Sequence, residues 1–281
     1  MTDGELDDLL EGIMESSRVP CPACAKERKK KNQKTLSVTV TGDDVLYQCW
    51  HCSLSGKYTR RRTLELSNVT AISIPKESDQ SLVDGYLLKR GIDPVSVFGF
   101  NLVSGTKFFY GEGELDAIGF VYGDDEAVKW RSVQGKHFTQ DGAARTLWGI
   151  ERVEEKAKQL VIVEGETDCL AMASAAIPNC CSVPNGAPQK VSNRRVDPSE
   201  DKKFGYVWEA KKEIEAADRI VLAVDRDEPG EALAEELARR IGRAKCYRVQ
   251  WPDGCKDAND ALINLGADRL QELVDEAEPM P

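Results

Sequence analysis

Long apolar runs are missing from this 281-residue chain. None approaches the ~18 residues that a membrane-spanning helix needs, so no membrane partner is expected. No secretory leader is expected either: residues 1–15 are acidic rather than basic-then-apolar. No Gly-x4-Gly-Lys-Ser/Thr occurs, which leaves no P-loop motor in the sequence. Positive charge is scarce, with 38 Lys and Arg against 48 Asp and Glu and a net charge of −10. That total speaks against a nucleic-acid partner, but the distribution does not: residues 1–17 carry −6, residues 18–62 carry +8 and residues 63–281 carry −12. A basic module on an acidic body is the better description. What is present otherwise, 41% hydrophobic and 31% charged residues, is that of a soluble globular protein of one to three domains. Nine cysteines, an odd number with four at metal spacing, point to a reducing compartment, and a cytoplasmic location in a bacterial or phage-infected cell is expected.

Within the acidic body, three apolar runs end in carboxylates. Ile220 to Val224 is β-branched-rich, as a strand buried on both faces requires, and Asp225 and Asp227 follow at once. The period of two predicts that both point the same way. At a separation of about 4 Å they would repel by roughly 4 kcal/mol at an effective dielectric near 20, which a shared cation relieves. An acidic turn that suits the dipole of the following helix is the competing explanation. Leu160 to Val163 is a second buried run, leading to Glu164, a sharp turn at Gly165, and Asp168 on the first turn of a helix. The third piece, Lys256, Asp257, Asn259 and Asp260, follows the strand-like Cys246 to Trp251. Ligands of open α/β sheets gather outside the carboxyl ends of parallel strands, so the three acidic ends converge by topology.

Glu164-Gly165-Glu166-Thr167-Asp168, then Asp225-Arg226-Asp227, then Lys256-Asp257-Ala258-Asn259 resemble the Toprim domain of primases, topoisomerases and some nucleases and recombination proteins. The resemblance implies that Glu164, Asp225 and Asp227 bind Mg2+ or Mn2+, and that Asp168 and Asp257 support metal or fold.

The basic module carries Cys21-Pro-Ala-Cys24 and, after 24 intervening residues, Cys49-Trp-His-Cys52. Two such hooks supply four thiolates for one structural Zn2+, so His51 is not needed as a ligand. Alternation over Leu36, Val38 and Val40, then Gly42-Asp43-Asp44 and Val45 to Tyr47, predicts a hairpin between the hooks and therefore a β-rich zinc ribbon over residues 15–62. Leu6, Leu9, Leu10 and Ile13, at helical spacing behind Thr2 and Asp3, would dock on the same protein. Lys26, Arg28, Lys29, Lys30, Lys31 and Lys34 follow the first hook, and Lys57, Arg60, Arg61 and Arg62 the second. With Tyr47, Trp50 and Tyr58 they offer the cations and stacking surfaces that single-stranded DNA requires.

Residues 63–80 read as a linker. Over 81–158 a helix stopping at Gly91 is followed by strands at Phe108 to Tyr110, Ala117 to Tyr122 and Ala127 to Trp130. Residues 159–277 hold the Toprim-like unit, including a strand at Cys180 to Val183, a glycine-requiring turn at Pro184-Asn185-Gly186, a polar loop with Lys190, Arg194 and Arg195, one helix over Phe204 to Ala217 and an acidic helix over Ala267 to Ala277. The segments Tyr86-Leu87, Arg90-Gly91-Ile92, Gly119-Phe120, Val128 to Arg131 and Leu147-Trp148-Gly149 resemble the N-terminal half of the RNA-polymerase domain of bacterial and phage primases. The fold class expected is thus an α/β Toprim unit with a Rossmann-like parallel sheet, an adjoining α+β subdomain and an N-terminal zinc ribbon, similar to the primase half of phage primase-helicases.

That resemblance implies a DNA-dependent RNA primase making short primers on single-stranded DNA by two-metal nucleotidyl transfer. Its catalytic set would be Glu164, Asp225, Asp227, Asp168, Asp257 and Lys136. Lys129, Arg131, Lys136, Asn185, Gly186 and Lys256 would contact nucleotide or template. Partners would be single-stranded DNA template, ribonucleoside triphosphates, a replicative helicase and a DNA polymerase. A non-catalytic zinc/Toprim recombination mediator is the alternative from another class, disfavoured by the 107 residues between Cys52 and Leu160. A Toprim nuclease or topoisomerase is a further one, disfavoured because the zinc ribbon comes first.

Overall fold

A computed structural model describes residues 6, 9–10, 13, 16–26, 28, 30–41, 44–59, 74–75, 78–123, 127–193 and 196–280. The chain divides into two units, Met1–Asn68 and Val69–Pro281. Thr2, Asp3, Lys29, the Gly42–Asp43 turn, Arg60 to Arg62, most of the expected linker, Arg194 and Arg195 lie outside the described residues.

In the first unit, β1 (Ser17–Pro20), β2 (Lys34–Thr41), β3 (Asp44–Cys49) and β4 (Ser55–Thr59) form an antiparallel sheet in that order. The alternation read from sequence is the cause: Leu36 and Val38 turn inward, and Leu36 pairs with Cys49 across the ladder. The outer strands β1 and β4 were not legible, because Ser17–Pro20 and Ser55–Thr59 have almost no apolar alternation. Buried Leu6 and Leu10 join Leu36, Val38, Val45 and three of the hook cysteines in one small core, against which Leu9 and Ile13 also pack.

The second unit begins with residues that the sequence assigns to the linker. Ile74 packs beside the cluster around Trp130, Ser78 Oγ accepts the Ser104 N–H at 2.8 Å, and the Asp79 carboxylate caps α1 (Gln80–Leu88) by accepting the Ser81 N–H at 2.9 Å. Helix α1 buries Val83, Tyr86 and Leu87, and the chain leaves it through Gly91 at φ +68°. Then β5 (Leu102–Phe109), β6 (Gly113–Tyr122), β7 (Ala127–Ser132) and β8 (Phe138–Gly142) make an antiparallel meander. One face of β6, with Ile118, Phe120 and Tyr122, joins the core of the following subdomain; the other, with Ala117 and Val121, packs on Val128 and Trp130. Gly119 is needed on that second face, where a Cβ would lie 2.7 Å from Val128 and 2.8 Å from both Trp130 and Val103.

The remaining elements are β9 (Gln159–Val163), α2 (Glu166–Ser174), β10 (Cys180–Ser182), α3 (Gly205–Glu209), α4 (Lys211–Ala216), β11 (Arg219–Ala223), α5 (Glu228–Ile241), β12 (Cys246–Arg248), α6 (Ala258–Leu265), α7 (Ala267–Asp275) and β13 (Glu278–Pro279). They build a sheet of order β10-β9-β11-β12-β13, parallel except for the antiparallel edge strand β13. Helices α2, α6 and α7 contribute to the core on one side of this sheet and α3, α4 and α5 to that on the other, so β9 and β11 are apolar throughout their central residues. Three expectations are corrected. Phe204 to Ala217 is not one helix but two short ones meeting at Ala210. Gly186 is not in the left-handed region, and a Cβ there would meet open space, so that turn does not require glycine. The chain does bend at Gly165, but at φ −121°, so the bend does not use glycine's positive-φ freedom; a Cβ there would instead lie 2.8 Å from Asp168 Oδ2.

Candidate metal and nucleotide site

The carboxyl ends of β9 and β11 are neighbours because those strands pair in register, with Ala223 opposite Val163. Glu164 and Val224-Asp225 leave the sheet from there, and the Asp257 turn arrives beyond β12. Gly230 permits the closeness of strand end and helix: a Cβ on it would sit 2.1 Å from the Asp225 carbonyl oxygen. Two carboxylates also serve as helix caps. Asp227 Oδ1 accepts the Gly230 N–H at 2.8 Å at the start of α5, and Asp257 Oδ1 accepts the Asp260 N–H at 2.7 Å at the start of α6. The helix-cap explanation of Asp227 is therefore correct as far as one of its oxygens goes.

The other oxygen is engaged differently. Lys256 Nζ lies 2.7 Å from Asp225 Oδ2 and 3.0 Å from Asp227 Oδ2, so the sequence-predicted pair meets a single ammonium. Glu164 is close enough to feel both aspartates. Burial first, then the Asp225 and Asp227 charges, push its carboxyl up to about 7, against the opposing pull of the Asp225 N–H. Its Oε2 is buried without a hydrogen-bond partner. Burial also raises Asp225, with Lys256 opposing, whereas at Asp227 burial is outweighed by the Gly230 N–H and Lys256, leaving it below the usual carboxylate range. Asp168 is held well above that range by burial and by the Asp257 and Asp225 charges, and accepts the Asn259 N–H at 3.0 Å.

The tightest acidic triple among the described residues is Asp168, Asp225 and Asp257, whose nearest oxygens lie within 4.8 Å of one another. It shares only Asp225 with the set Glu164, Asp225 and Asp227 that the resemblance singles out, so the carboxylates form one continuous group centred on Asp225. All donors are oxygen, which suits a hard divalent cation, and the orphaned Glu164 oxygen is a group such a cation satisfies.

Of the expected nucleotide contacts, Lys256 is in this group. Lys129, on β7, pairs with Glu166 at the start of α2, and the Tyr122 hydroxyl donates to the same carboxylate. Glu166 and Tyr122 had no assigned role: Glu166 was one acid among three in its motif, and Tyr122 was one more apolar strand residue. Arg131 lies over the Phe138 ring at 5.1 Å, its Nε buried without a partner. Lys136, Asn185 and Gly186 are exposed and make no hydrogen bond to this carboxylate group among the described residues. Tyr86 and Arg90 were also unassigned to the site, yet they tie α1 to it: Tyr86 Oη is 3.1 Å from Thr167 Oγ1, and the Asn259 amide donates to the Arg90 carbonyl at 2.7 Å.

In the other unit, Cys21, Cys24, Cys49 and Cys52 offer four sulfurs within 4.8 Å of one another. Cys21 and Cys52 are 3.8 Å apart at sulfur, as are Cys24 and Cys49. Zn–S bonds of about 2.3 Å in a tetrahedron require about this spacing, so the thiolates fit zinc. Burial and the neighbouring thiols push Cys24 up to about 12, whereas the N–H groups of Cys52 and His51 and the Thr35 hydroxyl overcome burial to bring Cys49 down to about 6. His51 is exposed and outside the group. Of the basic residues, Arg28 donates to the Cys24 and Gln33 carbonyls and Lys57 pairs with Asp44 at 2.7 Å, so both support the ribbon itself. Trp50 is 70% exposed.

Known proteins match this architecture. A family model described as "Toprim domain" matches residues 158–250. The chain is 42% identical to the Arabidopsis thaliana "Primase homolog protein", over 93% of this chain and 81% of that protein. It is 34% identical to the Arabidopsis thaliana "Twinkle homolog protein, chloroplastic/mitochondrial", over 93% of this chain but only 39% of that protein, so it spans well under half of that relative. Both are plant proteins, whereas the sequence-based expectation was a bacterial or phage setting. The zinc-binding and RNA-polymerase domains of the Aquifex aeolicus primase share the fold at a TM-score of 0.52 and 14% identity, covering 98% of this chain and 83% of that one. No helix among the described residues is long and apolar enough to cross a membrane. With its Toprim sheet, its preceding meander and its four-cysteine ribbon, the chain belongs to the primase family represented by the Arabidopsis primase homolog protein.

Proposed function

We propose that this chain is a DNA-dependent RNA primase that joins ribonucleotides on single-stranded DNA during DNA replication. The reaction is attack of a ribose 3′-hydroxyl on the α-phosphate of an incoming triphosphate, with loss of pyrophosphate. The observation that carries this reading is the carboxylate group beside the neighbouring ends of β9 and β11, where Asp168, Asp225 and Asp257 bring oxygens within 4.8 Å of one another and one buried Glu164 oxygen is unpartnered. Those residues would hold Mg2+ or Mn2+, assisted by Asp168 and Asp257, and the ions would lower the pKa of the attacking hydroxyl and offset the charge of the triphosphate.

Glu164, at the end of β9, would also accept the proton of the attacking hydroxyl. Asp257 caps α6, and Asp168 ties the α6 start to the first turn of α2. Lys129, Arg131 and Lys136 supply positive charge toward phosphates or template, and Asn185, Gly186 and Lys256 line the nucleotide side. Cys21, Cys24, Cys49 and Cys52 hold the zinc of a ribbon that engages the template, with Trp50 as a stacking surface. A replicative helicase and a DNA polymerase would be the protein partners.

The test is a labelled-nucleotide primer assay on random single-stranded templates with and without divalent metal. Asp225→Ala should abolish primer synthesis while the zinc ribbon still binds DNA. Primers made by Asp225→Ala at the wild-type rate would sink the metal assignment, and a chain that grips DNA but never makes primers would be a non-catalytic mediator.

A further inference from the structure

Lys256 occupies a peculiar position for a residue expected to touch nucleotide, since its ammonium is already held between Asp225 and Asp227. A divalent cation bound through those Oδ2 atoms needs the space and the charge that the ammonium takes up. We propose that Lys256 is a built-in counter-ion of the acidic pair, displaced when metal arrives and thereby released toward the triphosphate. This inference rests on the primase reading of the site.

The surroundings of Lys256 support displacement of the side chain alone. Its backbone is fixed at both sides: its N–H donates to Asp260 Oδ2 at 3.1 Å, and its carbonyl accepts the Arg226 N–H at 2.8 Å. Asp260 in turn is bound to Asp257, the cap of α6. The side chain, by contrast, is 51% exposed on a flexible four-carbon stem. So the lysine can turn outward without moving the motif that carries Asp257. In the metal-free protein it offsets the repulsion between Asp225 and Asp227, which keeps the pair assembled for metal. Once displaced, the same positive charge lies at the edge of the site, where a triphosphate brings the negative charge to which an ammonium pairs. The metal and the nucleotide then arrive in a favoured order: metal entry frees the residue that the nucleotide uses.

The experiment measures Mn2+ binding to the full chain by calorimetry without nucleotide, and separately the binding of a non-hydrolysable ribonucleoside triphosphate at saturating metal. Lys256→Gln should bind Mn2+ about five- to tenfold more tightly, because a competing half-exposed cation has been removed. It should bind the triphosphate several-fold more weakly. Lys256→Arg, which keeps the charge, should stay near wild type in Mn2+ affinity and so controls for loss of fold. Unchanged or weaker Mn2+ binding by Lys256→Gln, with Lys256→Arg normal, overturns the proposal. Tighter metal with undiminished triphosphate binding also overturns it, since the released ammonium would then have no destination. Absence of Mn2+ binding by the wild-type chain, or undiminished Mn2+ binding by Asp225→Ala, would instead refute the metal reading on which the proposal stands.

Discussion

The ribbon and the carboxylate site both bring together side chains that suit a metal, but they depend on it in opposite ways. The ribbon core is a handful of apolar residues, Leu6, Leu10, Leu36, Val38 and Val45, and cysteines Cys21, Cys24 and Cys49 complete it. Without an ion those thiols would have little to hold them together. The carboxylates, by contrast, stand on a parallel sheet with apolar clusters on both faces, and are held by helix caps and Lys256. In the first region a metal would support the fold; in the second the fold would support a metal. What separates them is buried apolar area, which in small zinc domains is too little to offset chain entropy.

The strongest way to break this comparison is chelation. Stripping zinc, or Cys24→Ser, should unfold the ribbon, since metal contributes roughly 10–16 kcal/mol to such domains, while residues 69–281 keep their amide-exchange protection. Removing Mg2+ or Mn2+ alone should leave both units folded. If the second unit also melts on chelation, the distinction fails.

A smaller effect is expected from Gly230→Ala, whose Cβ would collide with the Asp225 carbonyl. Displacing that strand end should cost about 2–4 kcal/mol in urea unfolding and lower metal affinity as well. Wild-type stability would show that the close approach is dispensable. Lys129→Met should cost about 2–3 kcal/mol, because Glu166 is 7% exposed and would lose its cation. Lys129→Met combined with Glu166→Gln should restore much of the stability. If primer synthesis returns with it, Lys129 serves the fold and not the phosphates.

The smallest effect concerns pH. Glu164 is raised to about 7 in the folded, metal-free protein, so the native state holds that proton more tightly than the unfolded chain does. Its contribution to stability is therefore most favourable below the ordinary glutamate range, declines as pH rises toward 7, and levels off above it. Glu164→Gln should stabilise the metal-free protein at pH 8 by about 2 kcal/mol and flatten that decline. Metal affinity of the wild type should fall as pH drops below 7, because the proton must leave first. A pH-independent affinity would show that Glu164 does not bind the ion.

The sequence by itself determined what depends on local spacing. The two Cys-x2-Cys hooks, the alternation over Leu36 and Val38, and the apolar runs ending at Glu164 and Asp225 were legible because ligand spacing, period two and continuous burial each leave a short-range pattern. Only the tertiary structure decided which of those residues meet. Lys256 is 31 residues from Asp225, and Lys129 is 37 from Glu166, and nothing local distinguishes them from solvated charges. The break at Ala210 and the edge strands β1, β4 and β8 were likewise hidden, since their conformation is imposed by neighbours and not by their own apolar pattern. Composition and period select elements, but a charge's partner is chosen by packing that brings distant strand ends and helix starts to one place.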